Sequence, residues 1–206
     1  MKQRTLFFDF DGVKFDTTQH HVDYINNRFA IKSVISDYIN NPPLDKIVKK
    51  YLPEDTEIDA TDLYRGLSKL FLDSIDSHET VFPIDGMVQT IFSLSKIYNL
   101  VTVTARPDSG RHVIEHMLHK YVPGCISEIH CVWTYKNNEF VPVTKKEFIQ
   151  NYPGKKVAFL DDSATEIKKL QEIIPSYLFD PCGYNDHETT IQRRVRSWQE
   201  FGNLFL

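Results

Sequence analysis

The sequence predicts an α/β fold: a parallel sheet with helices on both faces and a small helical segment inserted after the first strand. Three observations carry this expectation. Short apolar runs at Leu6–Phe8, Leu100–Val103, Val157–Leu160 and Ser176–Phe179 have the length and composition of buried parallel strands. The segments following the second and third runs carry apolar residues at helical spacing. Between Thr18 and Phe82 the alternation of strand and helix breaks, and only helical patterns remain.

The first run ends at Asp9, and Gly12 permits the turn that leads the chain away from the sheet. Asp16 and Thr17 shape the start of the inserted segment. There Val22, Ile25 and Phe29 share one helical face, and Leu63, Leu67, Leu70 and Phe71 share another. Asn40-Asn41-Pro42-Pro43 and Leu52-Pro53 read as connections between helices. The second strand leads into Thr104-Ala105-Arg106, after which Val113, Ile114, Met117, Leu118 and Tyr121 form a helical face. From Cys131 to Val143 the sequence alternates around Asn137-Asn138, predicting a hairpin near the sheet edge. The third run ends at Asp161-Asp162. Ser163-Ala164-Thr165-Glu166 then has the pattern of a capping box, which assigns Glu166 to a helix start rather than to a metal site. Ile167, Leu170, Ile173 and Ile174 continue that helix. Val195 to Phe201 reads as a terminal amphipathic helix with Trp198 buried. The expected division is a core of residues 1–17 and 83–206 and a helical cap of residues 18–82.

A chain of 206 residues suits one domain carrying an insertion. Its 41% hydrophobic and 25% charged residues are those of a soluble globular protein and exclude disordered or fibrous classes. The net charge of -4 argues against extended nucleic acid as a partner. No stretch has the length of a membrane-spanning helix, so no membrane insertion is expected. The apolar run after Thr5 stops at Asp9, too short for a signal peptide. Cys125, Cys131 and Cys182 are odd in number and lack CxxC spacing, which fits a reducing compartment. A cytoplasmic site of action is therefore expected, and secretion as an effector stays open.

In open parallel sheets, ligands bind beyond the carboxyl ends of the strands. Asp9, Asp11, Thr104, Ala105, Arg106, Asp161 and Asp162 converge there. A lone aspartate after an apolar run is most often a turn former, so the inference rests on the set. Clustered carboxylates call for a hard divalent cation. His20 and His21 are adjacent on a helix and point apart, which reads as a surface pair.

Asp9-Phe10-Asp11-Gly12-Val13, Thr104, Lys145 and Asp161-Asp162, in that order, resemble the four motifs of the haloacid dehalogenase (HAD) superfamily, over a span from Thr5 to about Phe179. The resemblance implies a HAD-like Rossmannoid sheet with a C1-type cap and a Mg2+-dependent phosphatase working through an aspartyl-phosphate intermediate. It makes Asp9 the nucleophile and Asp11 the general acid and base. Thr104, Ala105 and Lys145 would bind the substrate phosphate. The metal ligands would be Asp9, Asp162 and the backbone carbonyl of Asp11, with Asp161 bound directly or through a water. Lys145 is preferred to Lys146 because it precedes Phe148 by three residues, as in the family motif. Arg106 either lines the substrate pocket or covers the end of the sheet.

Within the superfamily, Phe82 to Gly86, Thr104 to Pro107, Phe179-Asp180-Pro181, Gly183-Tyr184-Asn185 and Arg194 to Glu200 resemble the 5'(3')-deoxyribonucleotidases and related bacterial nucleotidases. This implies a 5'-nucleotide or another small phosphate ester as substrate, with Phe15, Tyr24 or Phe29 as candidates to stack on a base. Two other readings are carried: a HAD-type phosphotyrosine phosphatase acting on phosphoproteins, and a catalytically idle HAD-like binding module.

Overall fold

The computed structural model describes residues 4–38, 42, 44–136 and 139–206. Its strands are β1 (Arg4–Phe8), β2 (Asn99–Pro107), β3 (Glu128–Lys136), β4 (Glu139–Pro142), β5 (Lys155–Asp161), β6 (Ser176–Phe179) and β7 (Arg194–Val195). They form one sheet in the order β4-β3-β2-β1-β5-β6-β7. Six strands run parallel, and β4 returns antiparallel to β3 at one edge. The helices are α1 (Thr18–Phe29), α2 (Leu44–Lys49), α3 (Ala60–Leu67), α4 (Met87–Ser95), α5 (Arg111–Tyr121), α6 (Lys145–Asn151), α7 (Ala164–Leu170) and α8 (Trp198–Phe205).

All four expected strands are present, and β2 continues through Thr104, Ala105 and Arg106. The hairpin at the edge is formed by β3 and β4, with Lys136 opposite Glu139. Asn137 and Asn138, expected to turn it, lie outside the described residues, as do Asn40, Asn41 and Pro43 of the expected connection. The tail departs from expectation. Arg194 and Val195 form an edge strand on β6, and the helix starts only at Trp198. Ser197 caps it by accepting from the Glu200 amide at 3.1 Å, while the Glu200 carboxylate accepts from the Arg196 amide at 2.6 Å.

Successive residues of a strand face opposite sides of the sheet, and each side here has its own cover. Leu6 and Phe8 of β1 pack with Ile91 of α4, Ile114 and Met117 of α5, and Trp198 and Phe201 of α8. Phe7, Val101, Val103 and Phe159 pack on the other side with Ile149 of α6 and with Ile167 and Leu170 of α7. Helices therefore lie on both faces, the condition under which parallel strands read as unbroken apolar runs.

The inserted segment contains α1, α2 and α3, a π-helical turn at Ser68–Leu72 and two short 3-10 turns. Val22, Ile25, Leu63, Leu67 and Phe71 are buried as expected, but Leu70 is 62% exposed. The π turn explains the difference, because its wider winding rotates residues after Leu67 off the 3.6-residue register. The chain enters and leaves this segment side by side: Phe15 pairs with Pro83, and the Ile84 amide donates to the Lys14 carbonyl at 2.9 Å.

Candidate active site

Strand order reverses at β1, with β2 and β3 on one side and β5 and β6 on the other, so a crevice opens at the carboxyl ends of the central strands. Phe8 is in register with Leu160, and the Asp9 amide donates to the Leu160 carbonyl at 2.9 Å. That pairing brings Asp9 beside Asp161 and Asp162. Each of the three offers an oxygen within 4.8 Å of the others.

Lys145 closes the cluster. Its Nζ lies 2.9 Å from Asp9 Oδ2 and 2.7 Å from Asp161 Oδ2, and Asp161 Oδ1 accepts from the Ser163 amide at 2.8 Å. Thr144 and Glu147 form a full capping box that fixes the start of α6, with Lys145 directed inward and Lys146 exposed. The capping box expected at Ser163 is half formed: Ser163 accepts from the Glu166 amide, but the Glu166 carboxylate pairs with Lys169. Glu166 stays outside the carboxylate cluster.

Burial pushes Asp9 up to about 7 against the pull of Lys145, and the charges of Asp161 and Asp11 add to the rise. Burial also raises Asp161 and Asp162, the latter further through Asp161 and Asp9. Lys145 is pulled down by burial, but Asp161 and Asp9 outweigh this and hold it firmly charged. Asp9 Oδ1 and Asp162 Oδ1 are both buried without a hydrogen-bond partner. Orphaned carboxylate oxygens in a cluster of three aspartates suit a hard divalent cation such as magnesium. Gly12 is required beside them: its φ is +67°, and a Cβ there would stand 2.3 Å from Asp162 Oδ2.

Asp11 is held separately. Arg106 grips it with two bonds, Nε to Oδ2 at 2.8 Å and Nη2 to Oδ1 at 2.7 Å, and Thr17 Oγ1 donates to Oδ1 at 2.8 Å. Burial would raise Asp11, but the adjacent guanidinium outweighs it and keeps the carboxyl well below its usual range. Arg106 lies where the β2–β3 register shifts, between Thr104 and Pro107. Thr104 is buried, and its Oγ1 accepts from the Arg106 amide at 3.2 Å, whereas Ala105 is exposed.

Thus Asp9, Asp161, Asp162 and Lys145 meet directly, Asp11 and Arg106 meet beside them, and Thr104 borders them on β2. Several neighbours escaped the sequence reading. Thr17 reaches Asp11 rather than only shaping a turn, while Asp16 does shape it, accepting from the Thr18 amide at 3.2 Å. His78 accepts from Arg106 through Nε2 at 3.1 Å, and its Nδ1 lies 2.9 Å from the Ser74 carbonyl. Phe71 stacks with both His78, at 4.2 Å, and His20, at 4.6 Å, and His21 meets its edge. The histidine pair is therefore packed around Phe71 instead of forming a surface pair. Phe15 is wholly buried against Phe10 and is not available to stack on a ligand. Lys14 is also wholly buried, and burial pushes it down to about 7 against the attraction of Asp9. Nothing in the spacing of Lys14 or His78 marks them, since only tertiary packing buries them.

His78 yields a pH prediction. Burial, and then the charge of Arg106, push its imidazole down to about 4 from the 6.5 of an exposed histidine. The stability contributed by the neutral ring is complete above about pH 6.5 and is lost as pH falls toward 4, by up to about 3 kcal/mol. Urea unfolding of wild type and His78→Gln from pH 7 to 4 checks this. The wild type should lose stability more steeply, and parallel curves would remove His78 from the account.

The segment resembling the nucleotidase tail has structural work of its own. Buried Asp180 accepts from the Asn185 amide at 3.1 Å and lies 3.2 Å from both Arg194 and Arg196, which also pair with Asp186. Trp198 stacks on Phe8 and donates from Nε1 to the Val13 carbonyl at 2.8 Å, bracing the turn after Asp11. A separate cavity of about 600 Å³ lies in the inserted segment, lined by His20, Tyr24, Arg28, Phe71, Ser77 and Thr80 among others.

No protein-family model matches the sequence, and no curated protein matches it. Solved structures do. A haloacid dehalogenase-like family hydrolase from Streptococcus pneumoniae is similar with a TM-score of 0.67 and 16% identity, covering 98% of each chain. A predicted phosphoglycolate phosphatase from Haemophilus somnus has a TM-score of 0.72 and 13% identity, covering 100% of this chain and 99% of its own. YfnB of Bacillus subtilis, described as a HAD-hydrolase bound to magnesium, has a TM-score of 0.61 and 16% identity, covering 100% and 99%. At such identities the likeness is one of architecture, and the chain has the HAD-like α/β fold.

Proposed function

We propose that the protein is a Mg2+-dependent phosphomonoester hydrolase in which Asp9 accepts the phosphoryl group. The observation that carries this reading is the pair of buried, unpartnered oxygens, Asp9 Oδ1 and Asp162 Oδ1, next to a lysine that bridges Asp9 and Asp161. Such a site costs several kcal/mol to bury unless a cation and an anion complete it. Asp9, Asp162 and the Asp11 carbonyl would hold the cation, with Asp161 alongside. When bound, magnesium neutralises charge on the phosphate and lets an anionic nucleophile approach it. The fold neighbours described as phosphatases, and the one described as magnesium-bound, favour the same reading.

In the first half-reaction an Asp9 carboxylate oxygen attacks phosphorus, the bond to the leaving oxygen breaks, and Asp11 gives that oxygen a proton. In the second, Asp11 takes a proton from water as the water attacks the aspartyl phosphate, releasing phosphate and restoring Asp9. Lys145 neutralises the nucleophile and the transferring group, and the Thr104 hydroxyl donates to a phosphate oxygen. The Arg106 grip keeps Asp11 ionised, the form required in the second half. Proton donation in the first half requires that grip to loosen, so Arg106 divides its bonds between Asp11 and the substrate.

Residues 18–82 act as a helical cap, reaching the site through Phe71 and His78. Because Asp9 is only 7% exposed, a small phosphate ester is favoured over a phosphoprotein. The test is hydrolysis of p-nitrophenyl phosphate with magnesium and with EDTA, followed by kcat/KM on nucleoside monophosphates, phosphoglycolate, sugar phosphates and phosphotyrosine peptides. Turnover should vanish with EDTA and return with magnesium, and small esters should lead the panel. A preference for phosphopeptides overturns the substrate reading, and inactivity under all conditions favours an idle binding module.

A further inference from the structure

Lys14 stands directly under the candidate site, yet no step of the proposed reaction uses it. Its side chain is 0% exposed. Nζ donates to the Asp9 carbonyl at 2.8 Å and lies 3.5 Å from the Phe8 carbonyl and 5.0 Å from the Phe8 ring centre. Among the described residues, no carboxylate lies within salt-bridge distance of it. A buried ammonium without a counter-ion is destabilising, and methionine would fill the same volume at lower cost. Packing therefore does not account for a lysine here.

The surrounding charges do. Lys14 is attracted by Asp9, Asp11 and Asp161 and repelled by Lys145. Four carboxylates, Asp9, Asp11, Asp161 and Asp162, face two other cationic side chains among the described residues, Lys145 and Arg106. A bound divalent cation would bring these charges only to balance, so an incoming phosphate dianion still adds two negative charges where water is excluded and charges interact strongly.

We propose that Lys14 is a positioning residue of the phosphate site: its ammonium pins the Asp9 backbone from below and, beside Lys145, Arg106 and the bound cation, supplies the further positive charge that lets a carboxylate-rich crevice accept a phosphate dianion. This rests on the phosphohydrolase reading. It also makes stability and function respond in opposite directions, which a purely structural lysine would not do.

The test compares wild type, Lys14→Met and Lys14→Gln at about pH 6, where lysine is otherwise charged. Calorimetry reads the binding of inorganic phosphate and, separately, of Mg2+, and thermal melts read stability. Lys14→Met should keep or raise Tm, weaken phosphate binding by about tenfold or more, and tighten Mg2+ binding. Lys14→Gln keeps a donor for the Asp9 carbonyl without the charge, and should show the same weakening of phosphate. Phosphate affinity within about twofold of wild type in either folded variant overturns the role of the charge. Failure of both variants to fold, or a lower Tm with unchanged phosphate affinity, assigns Lys14 to structure alone. A wild type that neither hydrolyses esters nor binds phosphate overturns the phosphohydrolase reading and this one with it. A fully active wild type matched by its variants overturns only this one.

Discussion

Asp9→Asn should abolish phosphate ester turnover, lowering kcat by about 10⁴-fold or more, as expected when the group that forms the covalent bond is removed. Stability should hardly change. Asparagine keeps the shape of the side chain and removes a carboxylate that burial disfavours, while Lys145 keeps Asp161 as its partner at 2.7 Å. Phosphate release and a thermal melt on the same preparation separate the two effects. A variant that retains a tenth of wild-type kcat would show that Asp9 is not the phosphoryl acceptor, whereas a large drop in Tm would show that its carboxylate holds the fold.

Lys145→Met should do the reverse to stability. It leaves Asp9 and Asp161 buried against each other without the ammonium that bridges them at 2.9 and 2.7 Å. Breaking a buried pair in this way costs about 3–5 kcal/mol, and for a chain of this size Tm should fall by about 10 °C. Lys146→Met is the internal control. Its side chain is exposed, so a change within about 0.5 kcal/mol is expected. Equal effects at the two positions would mean that the cluster is not organised by Lys145.

What could be read from the sequence follows from what each segment buries. β1, β2, β5 and β6 are legible because covered parallel strands are apolar on both faces. The full extent of β3 is not, because Glu128-Ile129-His130-Cys131 mixes polar and apolar residues next to an edge hairpin. β7 is two residues long and half arginine, and it exists only because β6 offers it an edge. The carboxylates are legible because strand ends put them in one crevice. Their partners are less so. The sequence allows Arg106 either a pocket role or a sheet-end role, and its grip on Asp11 joins residues 95 positions apart, which no spacing announces. Leu70 departs from its expected face because a π turn changes the winding within a continuous helix, and Lys14 carries no signal because a lysine is ordinarily solvated.

The indole of Trp198 bonds a carbonyl 185 residues earlier in the chain. During synthesis, therefore, β1 and Asp9 leave the ribosome long before Trp198 does, and the turn beyond Asp11 lacks its brace until those 185 residues have followed. Contacts of such long sequence separation form late and slowly. A nascent chain that already carries every carboxylate of the site would still lack the indole that braces the turn holding Asp11.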